Sequence, residues 1–483
     1  MSPTLALFLW LVLLLGLLRF DPAKDSGTSL ALWVPLIWMF IVGSRMPSQW
    51  LDMQVGTAAQ AFEEGNPLNR SVFLALTLLA MGILLSRSFK WSGFLTRNRV
   101  LIAFVSFALL SVLWSDFPFI TFKRWFRDLG NYLMVLVILS DPHPLEAVRT
   151  VLRRLSFLLI PLSIVVIKYY GEIGRHYSQW TGTATYVGVA TSKNMLGLLC
   201  LVSGIFLFWD TVTRWAEHKE RRTQRIILVN VAFIAMTLWL LHLAHSATSS
   251  VCLVIGCLVI AAAHSRFGKR HPGFLQVLCP ASFFLYLILA FGFGMNAEMV
   301  SDVGRNPTLT DRTFIWKILL SMKTNPLVGT GYQSFWLGSR LQRVWQSFPG
   351  INEAHNGYLD IYLTLGVMGL VLLVGFLIAS YGTICKRIRS ASALASLSLA
   401  IWTILLFYNV TEAAFDGGLL WVMLLLGVVV IPEYAEARVA SPVVCENAPV
   451  TGRWPSTPTE STRFAEMTRR FSAASRGSYQ KGR

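Results

Sequence analysis

The chain has 483 residues, of which 54% are hydrophobic and 14% charged, with a mean hydropathy of +0.56. A soluble globular domain carries about 25% charged residues, so an ordinary soluble enzyme is excluded. Solid runs of Leu, Val, Ile and Phe, in place of period-two alternation, exclude a membrane β-barrel as well. The net charge of +17 would suit a binder of phosphate backbones, but its cations gather in short loops between apolar runs and in the final tail. Facing an anionic inner leaflet, each surface cation there gains about 1 kcal/mol, and no nucleic-acid partner is expected.

A helix needs about 17 to 25 apolar residues to cross the hydrocarbon core. In chain order such runs fall near 4–18, 30–44, 71–86, 100–114, 128–140, 154–168, 192–209, 226–243, 249–263, 274–294, 357–380, 392–409 and 416–432. The run at 128–140 is short and begins at Asp128, which fits one tilted or broken helix starting at Phe117. The first run has no cationic leader and no small-residue cleavage site, and its first charge, Arg19, follows the apolar stretch, so it reads as a retained helix. The expectation is an all-α polytopic membrane protein of about 12 transmembrane helices. Its membrane domain covers 1–432 and includes a long, partly helical loop at 295–355; a basic tail over 433–483, rich in Ser, Thr, Arg and Pro, is expected to be disordered and cytoplasmic.

Lys and Arg in short loops mark the cytoplasmic side. The segments near 87–99, 141–154, 210–225, 264–273 and 381–391 are basic, as is the tail, and they alternate along the chain. All can therefore be cytoplasmic together, which sends the segments near 45–70, 168–191, 244–248, 295–355 and 410–415 outside. Thirteen spans in this orientation put the N-terminus outside, whereas twelve put both ends inside. Cys200, Cys252, Cys257 and Cys279 lie in or beside apolar spans, Cys385 and Cys445 on the cytoplasmic side. No disulfide framework, CxxC or His/Cys cluster with metal-ligand spacing results, so neither metal nor other cofactor is expected.

The loop at 295–355 breaks the charge rule, because it places Arg305, Arg312, Lys317, Lys323, Arg340 and Arg343 outside against Glu298, Asp302, Asp311 and Glu353. A surplus of cations on that side points to an anionic ligand. Thr310 or Asp311 would cap a short helix, Asn325-Pro326-Leu327-Val328-Gly329-Thr330-Gly331 is a turn signal, and the loop closes on Ala354-His355-Asn356-Gly357. Histidine, with an ordinary pKa near 6.5, is the natural general base at neutral pH, and His355 stands beside the arginines.

A second outer segment interleaves Lys168, Tyr169, Tyr170 and Arg175 ahead of Lys193-Asn194 at the head of the next span. Its aromatics fit a lipid-headgroup belt, and Arg175 fits either snorkelling or a phosphate fork. Lys193-Asn194 fits either a helix-end anchor or an anion contact at a helix N-terminus. The segment from Phe122 to Asp128 is either another anion contact or a misplaced span.

Thr308-Leu309-Thr310-Asp311-Arg312-Thr313 with Trp316, then the Asn325 to Gly331 turn, then His355-Asn356-Gly357-Tyr358-Leu359 running on to Leu365-Gly366-Val367-Met368-Gly369, form an ordered set. In this the chain resembles the O-antigen ligase and Wzy-type polymerase superfamily. The Arg175 segment and Lys193-Asn194 are similar to the preceding outer loop of its exopolysaccharide-polymerase-like members. One departure is Asp311, where many members have Gly; it could pair with Arg312.

The resemblance implies a GT-C-like fold in the bacterial inner membrane, with the long loop periplasmic. It also implies an inverting, metal-independent glycosyltransferase of the ligase or polymerase type. The donor would be a glycan on undecaprenyl pyrophosphate and the acceptor a glycan or lipid hydroxyl, in surface polysaccharide biosynthesis. A ready-made pyrophosphate leaving group needs cations to neutralise it and a base for the acceptor. Arg312 and Arg175 suit the first task and His355 the second, with Lys193, Asn194, Arg305, Arg340, Asn356, Tyr358 and Trp336 expected to bind substrate. The rival is a transporter or flippase of lipid-linked glycan, which would place ionisable groups within the spans; those runs are nearly free of them.

Overall fold

The computed structural model describes residues 1–19, 21, 27–53, 65–87, 89–177, 183–215, 219–292, 308–348, 350–390, 392–415 and 417–431. The tail at 433–483, and Arg305 with the opening of the long loop, lie outside the described residues. Helices of ten residues or more are α1 (Pro3–Arg19), α2 (Trp33–Val42), α3 (Pro67–Ser86), α4 (Arg99–Leu110), α5 (Pro118–Leu139) and α6 (Pro144–Tyr169). After a hairpin of β1 (Arg175–Tyr177) and β2 (Ala184–Tyr186) come α7 (Lys193–Arg214), α8 (Arg221–Ala244), α9 (Ala247–His264) and α10 (Pro272–Leu287). The long loop supplies α11 (Thr308–Ser321) and α12 (Gly338–Ser347), and α13 (Gly357–Arg389), α14 (Ala395–Thr411) and α15 (Leu419–Val428) complete the set.

Among the described residues, seven helices are long and apolar enough to cross a membrane: α3, α6, α7, α8, α9, α10 with its continuation to Ala290, and α13. An eighth span results if Trp91–Arg97 and Arg99–Trp114, bent by 93°, are one crossing. Four shorter apolar helices, of 10 to 17 residues, are Pro3–Arg19, Leu30–Val42, Ala395–Thr411 and Leu419–Val428. The protein is thus mostly helical and multi-pass, with seven or eight full-length spans where the sequence suggested about twelve. The segment starting at Phe117 is one unbroken helix, α5, which carries Lys123, Arg124, Arg127 and Asp128 in its first half.

Two features position the site. The first is a break in α13: Gly366 has φ +65° and ψ −165°, a conformation only glycine adopts readily. The Asn325 to Gly331 turn is threaded against this break. Val367 N–H donates to the Pro326 carbonyl at 2.9 Å and Met368 N–H to Leu327 at 3.0 Å, while Thr330 and Gly331 N–H donate to Leu363 and Thr364 at 3.2 and 2.9 Å. Backbone groups freed by the break are therefore satisfied by protein, as any non-helical backbone at membrane depth requires.

The second is a small core belonging to the long loop, built from Ile315, Leu319, Met322, Phe335, Trp336, Leu341, Val344, Ala354 and Leu363, all buried. It packs α11 and α12 onto the start of α13, so the described part of the loop is a folded cap.

At the opposite end of α6, Arg153 is 2% exposed and bridges Asp21 and Asp210, at 3.5 and 3.3 Å. Arg154 also reaches Asp21, at 2.7 Å, and Arg149 and Arg214 reach Asp210, at 3.3 and 2.9 Å. Met1 shares an apolar groove with Tyr169 at the far end of α6. Helix α1 therefore runs antiparallel to α6, with Met1 on the side of Tyr169 and β1.

Candidate active site

The site is organised by Glu412, the residue that follows α14. Its side chain is 6% exposed, and such a buried carboxylate needs partners. It has several. Arg312 Nη2, from α11, donates to Oε1 at 2.9 Å, while Nη1 donates to the Thr411 carbonyl that ends α14. Asn194 Nδ2, from the first turn of α7, lies 3.1 Å from both carboxylate oxygens, and His355 Nδ1 lies 3.2 Å from Oε2. The same imidazole nitrogen is 2.9 Å from Glu353 Oε1. Three regions of the sequence reading, the heads of α7 and α13 and the long loop, thus converge on one acid.

Their convergence depends on close backbone approach. Gly357 N–H donates to the Glu412 carbonyl at 2.9 Å, and a Cβ on Gly357 would come within 2.0 Å of Asn409 Oδ1. Only glycine fits there. His355 takes a left-handed φ of +48°, uncommon for a residue with a side chain. The peptide before it is clamped on both sides: Ala354 N–H donates to the Asp360 carboxylate at 3.0 and 3.1 Å, and the Ala354 carbonyl accepts from Trp316 Nε1 at 2.8 Å. Trp336 Nε1 donates to the same Asp360 carboxylate at 3.0 Å.

Electrostatics follow from this packing. Burial alone would lower the His355 pKa, but hydrogen bonds to Glu353 and Glu412 and their negative charges outweigh it, and the imidazole is pushed up to about 10. At neutral pH it is an imidazolium. Arg312 and the imidazolium then balance Glu353 and Glu412. The ligand atoms of Glu353, His355 and Glu412 lie within 4.8 Å of one another, a spacing compatible with a cation, but the Nδ1 proton already lies between the two carboxylates. A metal ion would have to displace it and add charge to a balanced set.

The other expected site residues divide into two groups. Asn356 caps α13, its Oδ1 accepting from Leu359 N–H at 3.0 Å, and its Nδ2 donates to the Val410 carbonyl at 3.2 Å. Tyr358 OH donates to the Leu406 carbonyl at 3.2 Å, and Trp336 is 6% exposed in the loop core. These three hold the scaffold of the site.

Lys193 is exposed at the start of α7, where Ser192 Oγ accepts from Met195 N–H. Arg340 pairs with Asp116 at 2.7 Å. Arg175, on β1, donates through Nε to the Ile167 carbonyl at 2.8 Å and lies over the Tyr186 ring. Its loop is clasped by Arg45, whose Nη2 donates to the Ile173 and Ala190 carbonyls at 2.7 and 2.9 Å. The Asp311 side chain lies outside the described residues, and the described ion pair of Arg312 is with Glu412. Sequence reasoning missed Glu412 and the Asp360 clamp.

Residues 231–374, which include Arg312, Glu353, His355 and the Gly366 break, match the family model described as O-antigen ligase. Over that region the chain is similar to the O-antigen ligase family. The exopolysaccharide production protein ExoQ of Rhizobium meliloti (strain 1021) is 28% identical to it over 311 residues, 60% of this chain. That alignment covers 65% of the relative's length, just under two thirds. Asn194 and Glu412 lie outside the residues matched to the O-antigen ligase model, so the Glu412 cluster, which Arg175 does not join, links positions inside that region to positions on both sides of it.

Proposed function

We propose that the chain is a glycosyltransferase of surface polysaccharide biosynthesis, working at the periplasmic face of the inner membrane. It takes glycan from an undecaprenyl-pyrophosphate-linked donor and transfers it, with inversion and without metal, to an acceptor hydroxyl, as a ligase or a polymerase. The observation that carries this reading is the meeting of Arg312 and the His355 imidazolium on Glu412. Two cations held beside one another in a partly buried site suit a leaving pyrophosphate, whose charge grows as the glycosidic bond breaks. The guanidinium, held in place by Glu412, presents its charge to the phosphate oxygens. With two carboxylates on Nδ1, His355 meets the substrate as an acid, so its place is with the leaving group.

The matched O-antigen ligase model and the relative's role in exopolysaccharide production support the same class of reaction. Taking the four shorter apolar helices as crossings brings the span count to about twelve. The Glu412 cluster joins the ends of helices to the long loop, which favours surface chemistry over a flippase with charges at the midplane.

The test is transfer from lipid-linked glycan, accumulated by a host lacking the gene, to acceptor by the purified full chain in excess EDTA. Transfer is expected to persist there and to fall by roughly 10²-fold or more in Arg312→Ala and His355→Ala. A well-folded wild-type protein without transfer, or variants at the wild-type rate, would sink the proposal.

A further inference from the structure

With His355 protonated, some other group must take the acceptor's proton, and the cluster holds two carboxylates that differ sharply. Glu412 is 6% exposed and is met by Arg312, Asn194 and His355. Its lone pairs are committed to these N–H donors. Asp360 is committed in the same way, to Ala354 N–H and Trp336. Glu353 differs: its side chain is 34% exposed, Oε1 faces His355 Nδ1 at 2.9 Å, and among the described residues no hydrogen bond reaches Oε2. One oxygen is thus oriented by the imidazolium while the other opens toward solvent, two residues along the chain from the leaving-group cation.

Resting on the glycosyl-transfer reading above, we propose that Glu353 is the catalytic base of the reaction and that Glu412 is a positioning residue that holds Arg312 and His355 together. The acceptor oxygen forms its bond to the anomeric carbon as the bond from that carbon to the pyrophosphate oxygen breaks, and the electron pair leaves with pyrophosphate beside Arg312 and His355. The acceptor's proton passes to Glu353 Oε2 and from its exposed edge to water. No oxidant, metal or further co-reactant is needed. The charged groups facing Glu353 are His355 directly, with Glu412 and Arg312 behind it, so protonating Glu353 leaves the cations free to neutralise the pyrophosphate.

The experiment uses the full chain in nanodiscs with the same accumulated lipid-linked glycan, and competition by inorganic pyrophosphate as the binding probe. Glu353→Gln is expected to lower kcat by about 10² to 10⁴-fold, the usual scale for general-base loss, with pyrophosphate competition changed by less than about twofold. Formate should restore part of the rate to Glu353→Ala. Glu412→Gln should instead weaken pyrophosphate competition. Transfer by Glu353→Gln within about threefold of wild type overturns the assignment while leaving the glycosyl-transfer reading intact; absence of transfer by wild type removes that reading itself.

A measurement on wild type alone guards against a variant that fails to fold. A kcat flat from about pH 6 to 8 agrees with a carboxylate base, whereas a rise through about 6.5, the ordinary imidazole value, would return the base role to His355 and overturn the proposal.

Discussion

A left-handed backbone at His355 costs about 1–2 kcal/mol for most side chains and less for Asn, which can bond locally. The Ala354 clamp holds the ring in that conformation against Glu353 and Glu412. His355→Asn should therefore keep more stability than His355→Ala, by about 1 kcal/mol, while both lose transfer; thermal unfolding of the purified variants checks the order. The raised pKa fixes a sign as well. A histidine whose folded value is about 10, against an unfolded value near 6.5, contributes stability fully below pH 6.5 and loses it as pH rises toward 10. That alkaline decline in the unfolding midpoint should be weaker in His355→Asn. Arg312 and His355 were legible in the sequence as a cation and a candidate general base in one polar loop between two apolar runs. Glu412 was not: it lies 57 residues beyond His355, and its only signal was a carboxylate in the short outer segment at 410–415.

At the scale of elements, apolar run length revealed the seven or eight full-length spans, because hydrocarbon thickness imposes it, but the break within α13 left no trace in hydropathy. Leu365-Gly366-Val367-Met368-Gly369 reads as continuous helix. The break shows itself only through its partner, since a Cβ on Gly366 would meet the Leu327 carbonyl carbon at 2.3 Å, and one on Gly329 would meet Thr364 backbone at 2.4 Å. Both contacts are backbone on backbone, which cannot rotate away. Gly366→Ala is expected to cost about 2–5 kcal/mol, from the strained conformation and the overpacking together. Because the first half of α13 begins two residues after His355, transfer should fall with it. A variant as stable as wild type, by unfolding in detergent, would mean that the turn does not pack against the break.

Two charged layers stand apart in the molecule: the Glu412 cluster, and a network in which Arg153 joins Asp21, two residues after α1, to Asp210 near the end of α7. The basic loops made the second layer visible as a positive-inside signal, but composition could not show that Asp21 and Asp210 bury part of it. These roles separate experimentally. Removing one member of a buried ion pair leaves an uncompensated charge and typically costs 3–5 kcal/mol, so Arg153→Met should lower the unfolding midpoint markedly, with Asp21 and Asp210 each losing a partner. Transfer measured well below that midpoint should stay within about twofold of wild type, because the layer shares no residue with the Glu412 cluster. If transfer instead collapsed while the protein remained folded, the two layers would be energetically coupled. Such coupling is what alternating access in a flippase requires, and it would count against a reaction confined to one face.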